Sequence, residues 1–157
     1  MRLVRGFEIV NKIYDEKVLR STMIDAEVEL CISNNAKFAP FVQQINYYVE
    51  LESQKAIEFF QTFRFITNLG ISSVEMDQDH FLGMIEPLTQ LKNLYLNYIH
   101  LKNSINSLAI EAVQLPLTLR KLSIDYISLT GDLDLFIQSI NSHKNLEEFH
   151  YRNYIEP

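Results

Sequence analysis

Leu91-Lys92-Asn93-Leu94-Tyr95-Leu96-Asn97-Tyr98-Ile99 and Leu119-Arg120-Lys121-Leu122-Ser123-Ile124-Asp125-Tyr126-Ile127 are one pattern written twice, with Leu94 and Leu122 in the same place. Within each copy the central Leu-x-Leu or Leu-x-Ile alternates, so in an extended segment the apolar side chains share one face. Leu94 and Leu96 then point one way, and Asn93, Tyr95 and Asn97 the other. One such strand cannot bury its apolar row alone, whereas stacked neighbours can cover each other.

The same phrase extends in both directions. Val42-x-x-Ile45-x-Tyr47 and Ile66-x-x-Leu69-x-Ile71-x-x-Val74 precede it, and Leu146-x-x-Phe149-x-Tyr151-x-x-Tyr154 follows. The strand anchors are Ile45, Leu69, Leu94, Leu122 and Phe149, at a nearly constant interval. Each of the first four is followed, after a nearly constant gap, by apolar residues at i, i+3, i+4 and i+7. These are Ala56/Phe59/Phe60/Phe63, Phe81/Met84/Ile85/Leu88, Ile105/Leu108/Ala109/Ala112 and Leu133/Phe136/Ile137/Ile140. That spacing marks one face of a helix. A helix between successive strands is the crossover that parallel pairing requires.

This phrase resembles that of the leucine-rich repeat superfamily, over roughly residues 42–154. The resemblance implies an α/β leucine-rich repeat solenoid: a right-handed βα horseshoe with parallel strands on the concave face and helices on the convex face. Residues 42–157 hold the repeats and residues 1–41 are irregular N-terminal repeats or a cap, all in one continuous domain. One departure concerns the ninth position, usually Asn or Cys in this superfamily. Here it holds Glu50, Val74, Ile99, Ile127 and Tyr154. The repeats are similar to irregular intracellular ones, such as those behind F-box motifs in fungal and other eukaryotic proteins.

The N-terminal stretch before Val42 is read element by element. Val4-x-x-Phe7-x-Ile9 fits a repeat strand, Asp15 to Met23 a short helix, and Val28-Glu29-Leu30-Cys31-Ile32 a strand. Val28 lies too close to Ile45 for a helical crossover between two strands, so short irregular units are expected. Asp77, Asn103 or Ser104, and Asp132 are placed to cap helices, and Pro87 to end one.

Composition narrows the function. The chain has 157 residues, 47% of them apolar, enough for a core. No apolar run approaches the ~20 residues of a membrane span. The start, Met1-Arg2-Leu3-Val4-Arg5-Gly6, lacks a long apolar signal core. Cys31 is the single cysteine, so no internal disulfide forms, and no glycosylation sequon occurs. An intracellular setting, cytoplasmic or nuclear, is expected. The formal charge is −6, and Arg120-Lys121 is the only close basic pair in the repeat region. Neither nucleic acid nor membrane is therefore the expected partner. Four glycines, none in a phosphate-loop spacing, and scattered histidines give no cofactor or metal site.

The resemblance makes the outward strand row the expected working face. Register lines up Gln44, Asn68, Asn93, Lys121 and Glu148; then Asn46, Gly70, Tyr95, Ser123 and His150; then Tyr48, Ser72, Asn97, Asp125 and Arg152. Asn93, Tyr95, Asn97, Tyr98, Asp125, Tyr126, His150 and Arg152 form the candidate patch for a protein partner, with Tyr95 and Arg152 as anchors. The expected function is a non-enzymatic protein-interaction scaffold. An alternative is the substrate-recognition part of an F-box-type ubiquitin ligase adaptor, which the resemblance allows. A third reading, an enzyme using Ser123 and His150, meets a geometric objection: Asp125 lies on the serine's own strand, not behind the histidine. Little follows Tyr154, so the C-terminal end is expected to be uncapped and open to self-association.

Overall fold

The computed structural model describes residues 7–8, 17–48, 51–102, 115–130, 138 and 140–152. Six strands run β1 (Phe7–Glu8), β2 (Gln44–Tyr47), β3 (Asn68–Asp77), β4 (Asn93–Lys102), β5 (Lys121–Thr130) and β6 (Glu148–Arg152). All are parallel and lie side by side in chain order. Between them fall α1 (Lys17–Asn35), a 3-10 helix (Ala36–Phe41), α2 (Ser53–Thr62) and α3 (Gln78–Ile85). The architecture is thus α/β with an open parallel sheet. The expected helices at 105–112 and 133–137 lie outside the described residues, but Ile140, the last residue of the second, is buried.

The sheet register is the one that the repeats dictate. Ile45, Leu69, Leu94 and Leu122 are opposite one another and each is 0% exposed. Tyr47, Ile71, Leu96 and Ile124 form a second buried row. Val42, Ile66, Leu91 and Leu119, the first residue of each phrase, are buried as well. On the helices Ala56, Phe59, Phe60 and Phe63, then Phe81, Met84, Ile85 and Leu88, are buried. Phe60 joins the layers, its ring centroid 5.5 Å from that of Tyr47 on β2 and 5.3 Å from that of Phe59.

The repetition is also written in the backbone. The carbonyls of Gln43, Thr67, Lys92 and Arg120 each accept two amides, from the last residue before the next strand and that strand's first residue. Each pair of bonds joins the entrance of one strand to the entrance of the next. These satisfy peptide groups that would otherwise be stranded where the chain re-enters the sheet. Pro87 follows the end of α3 at Ile85, as its missing amide requires. The Glu52 carboxylate caps α2 by accepting from the Gln54 amide at 3.3 Å. Asp77, expected to cap α3, occupies that position without making the side-chain bond.

Two features depart from expectation. Val28–Ile32 is not a strand but part of α1, a 19-residue helix where a short one was expected. Val28 is buried, Cys31 and Ile32 pack against the core, and Leu30 is exposed, which is i, i+3, i+4 spacing rather than alternation. Between β1 and β2 the described residues hold α1 and the 3-10 helix, and Phe7 pairs opposite Ile45 at the anchor position.

The second departure is in the strands. β3, β4 and β5 are each ten residues long and pass through one residue of positive φ: Ser73 (55°), Tyr98 (52°) and Tyr126 (63°). Pairing breaks at that residue and resumes at Val74, Ile99 and Ile127. The extra residue re-phases the alternation, so Ile99 and Leu101 are buried on the same side as Leu94 and Leu96. Ser73, Tyr98 and Tyr126 stay in step, so no strand sets two residues against one, and the bulge is a kink stacked in register through three strands.

Candidate functional site

The polar strand face has the three rows that the sequence sets out. Gln44, Asn68, Asn93, Lys121 and Glu148 align, as do Asn46, Gly70, Tyr95, Ser123 and His150. The third row joins Ser72, Asn97, Asp125 and Arg152, while Tyr48 lies just past the end of β2. All eight candidate residues thus sit on three adjacent strands, β4 to β6. At about 4.8 Å per strand the patch is roughly 10 Å across.

Its polar members are held by rungs between strands. Asn93 donates from its side-chain amide to the Asn68 side-chain oxygen, and Asn68 donates to the Thr67 hydroxyl. Lys121 Nζ lies 2.6 Å from Glu148 Oε2, and Arg152 Nε 3.5 Å from Asp125 Oδ1. The Lys121 ammonium beside Glu148 holds that carboxyl below its usual range, and the same contact raises the lysine. Lys102 pairs with Glu75 on the second half of the strands. Arg120 pairs with Glu147 at 3.3 Å. The one close basic pair in the repeats, Arg120-Lys121, thus has its charge matched by Glu147 and Glu148.

The aromatic members project. Tyr95 is 41% exposed, Tyr98 56% and Tyr126 37%. Tyr98 and Tyr126 stand at the positive-φ residues of neighbouring strands, their ring centroids 5.5 Å apart. Beside Tyr95 is Gly70, where an added Cβ would come within 2.9 Å of the Asn46 side-chain oxygen. The Asn46 side chain therefore occupies the space over Gly70.

Ser123 and His150 are neighbours in register, and the carboxylate near the histidine is that of Glu148, not Asp125. Asp125 is engaged with Arg152, and His150 Nε2 lies 3.7 Å from Glu148. The other histidines have separate surroundings. His143 Nε2 is 2.9 Å from the Pro116 carbonyl, so that nitrogen carries the proton and donates. His80, on α3, has its pKa lowered by burial, against the opposing pull of Asp77 and Glu52. Among the described residues no cluster of three metal-ligating side chains occurs. Cys31 lies on α1, not on a strand, and burial pushes its thiol up to about 11, against the small opposing effect of Asn35.

Sequence reasoning missed the corner at Tyr98 and Tyr126, although it placed both tyrosines in the patch. Positive φ is usually flagged by Gly or Asn, and neither stands there. Among the described residues no helix is long and apolar enough to cross a membrane. Comparison of the chain with protein-family models, curated proteins and solved structures finds no match.

Proposed function

We propose that the chain is a repeat scaffold of the leucine-rich repeat kind that binds a protein partner on the strand face, without catalysis. The observation that carries this reading is the tyrosine pair at the bulge. A bulky residue at positive φ costs about 1–2 kcal/mol of backbone energy, and both residues are nonetheless exposed, Tyr98 the more so. Strained positions that present exposed side chains cluster at recognition sites. Tyr95, Tyr98 and Tyr126 offer amphipathic area of the type that dominates interface energetics, and the ion-paired rungs beside them supply a polar rim.

The rest of the reading follows from the repeats. Parallel strands in chain order with helical crossovers wind right-handed in nearly all known cases, which sets helices on the outer side of a solenoid. A solenoid's inner strand face is its extended binding surface. A single cysteine, with no second one for an internal disulfide, suits a reducing, intracellular compartment. The geometry around Asp125 and His150 gives nothing that favours the Ser123 enzyme reading.

The test is site-specific photo-crosslinking in cell extract, with the crosslinker placed at Tyr98 or at the exposed helical Gln138. A discrete protein adduct is expected from position 98, lost when Tyr95→Ala and Tyr126→Ala are added, and none from 138. An adduct from 138 alone would put the working surface on the helices.

A further inference from the structure

We propose that the free edge of β6 pairs with the same edge of a second copy, antiparallel, across a two-fold axis through His150. The inference stands apart from the reading of the tyrosine patch.

β6 reads Glu148-Phe149-His150-Tyr151-Arg152, a charge palindrome. Turned end for end against itself, Glu148 faces Arg152 of the second copy, Phe149 faces Tyr151, and His150 faces His150. Every rung of that ladder is complementary or homologous. A two-fold interface must be self-complementary in this way, with residue i meeting j and j meeting i. Opposite charges directly across an antiparallel pair stabilise it, and like charges destabilise it.

The backbone is set for the same register. The Glu148 amide donates to Arg120 on the β5 side. In a parallel ladder alternate residues bond to alternate sides, so Glu148, His150 and Arg152 face β5. Phe149 and Tyr151 then turn their amides and carbonyls to the open side, where among the described residues no strand lies. In the antiparallel register Phe149 and Tyr151 are the pair that exchanges both bonds, giving four across the axis.

The side chains agree on both faces. Phe149 continues the buried row of Leu122, and Tyr151 that of Ile124, yet they are 40% and 39% exposed. Their rings stack side by side, centroids 6.4 Å apart. A second β6 would set its own Tyr151 and Phe149 against them and carry the core row through the axis. On the polar face Glu148 and Arg152 stay beside Lys121 and Asp125 while meeting their new partners, forming four-charge clusters.

The test is sedimentation of the wild type, E148R, R152E and an equimolar mixture of the two variants. The wild type is expected at twice the 18.4 kDa monomer mass at high concentration. Each variant alone sets like charges across both ends of the ladder and should be monomeric. In the mixture each E148R chain meets an R152E chain, both ends are again complementary, and the doubled mass should return. Each variant loses the same internal ion pair alone or mixed, so recovery reports the interface only. A wild type that stays monomeric, variants that associate alone, or a mixture that stays monomeric overturns the proposal. Should circular dichroism show either variant unfolded, Tyr151→Pro decides. It removes an amide that points away from β5, a substitution edge strands tolerate. Loss of the doubled mass with the fold kept supports the pairing, and retention refutes it.

Discussion

Replacing Tyr98 by alanine and, separately, by glycine should reverse the usual order of the two residues. Glycine inside a strand is normally less stable than alanine by about 0.5–1 kcal/mol, because its unfolded chain is freer. At Tyr98, with φ at 52°, any side chain bears the left-handed penalty of about 1–2 kcal/mol and glycine does not. Both variants lose the contact with the Tyr126 ring, about 0.5–1.5 kcal/mol for such a pair. That common loss cancels in the comparison. The glycine variant should therefore exceed the alanine variant by up to about 1.5 kcal/mol, the difference of the two backbone effects. Tyr95, on the same strand and without positive φ, is the control, where alanine should exceed glycine. Urea unfolding of the four variants measures this. In a chain of this size 1 kcal/mol corresponds to about 2–4 °C in Tm, so thermal melts offer a second reading. If alanine is the more stable at both positions, residue 98 is not left-handed and the stacked bulge is misplaced.

Three further outcomes are expected. Leu94→Ala and Leu122→Ala should each cost about 2–5 kcal/mol in urea unfolding, as fully buried leucines do, while Tyr95→Ala should cost far less. A Tyr95→Ala cost exceeding both would mean a register slipped by one. Burial lowers the pKa of His80 from 6.5, so the unfolded chain binds its proton first as pH falls. Its contribution is full above that value and is lost as pH drops from 6.5 through the lower folded pKa. His80→Leu should flatten the stability curve in that window, and an unchanged slope would refute the assignment. Cys31, pushed up from 9.0 to about 11, should alkylate roughly 100-fold more slowly in the native protein than in urea at neutral pH, since the thiolate is the reactive form. Equal rates would mean the thiol is free.

Much of the fold was legible because the repeat unit is specified redundantly. Leu91, Leu94 and Leu96 fix a strand, and the helical quartet that follows each strand at a nearly constant gap fixes the crossover. Three signals of different period agree, and the five-strand register from Gln44 to Glu148 follows from their spacing alone. Where the signal was short it misled. Val28-Glu29-Leu30-Cys31-Ile32 satisfies both alternation and i, i+3, i+4 within one short run, and only the full helical length resolves it. The strand register of the candidate residues on β4 to β6 was legible, but their ion-pair rungs depend on rotamers that no spacing encodes. Nor does spacing show that Glu52 caps α2 while Asp77, better suited by type, makes no capping bond.

The bulge at Ser73, Tyr98 and Tyr126 also accounts for the apolar residues that follow it. In β3, β4 and β5 the chain does not leave the sheet there. It inserts one left-handed residue and resumes pairing, with Val74 opposite Ile99 and Ile99 opposite Ile127, and continues to Asp77, Lys102 and Thr130. The peptide groups past the bulge are bonded strand to strand, so no side chain is needed to serve them. The residue after the bulge opens a third buried row, which is why it is Val, Ile and Ile, each at most 5% exposed. The re-phased strands thus add two more layers of apolar packing, Val74/Ile99/Ile127 and Met76/Leu101/Leu129. It also throws the bulge residue outward. In β4 and β5 that residue is a tyrosine, so the device that lengthens the core is the same one that presents the paired rings on the surface.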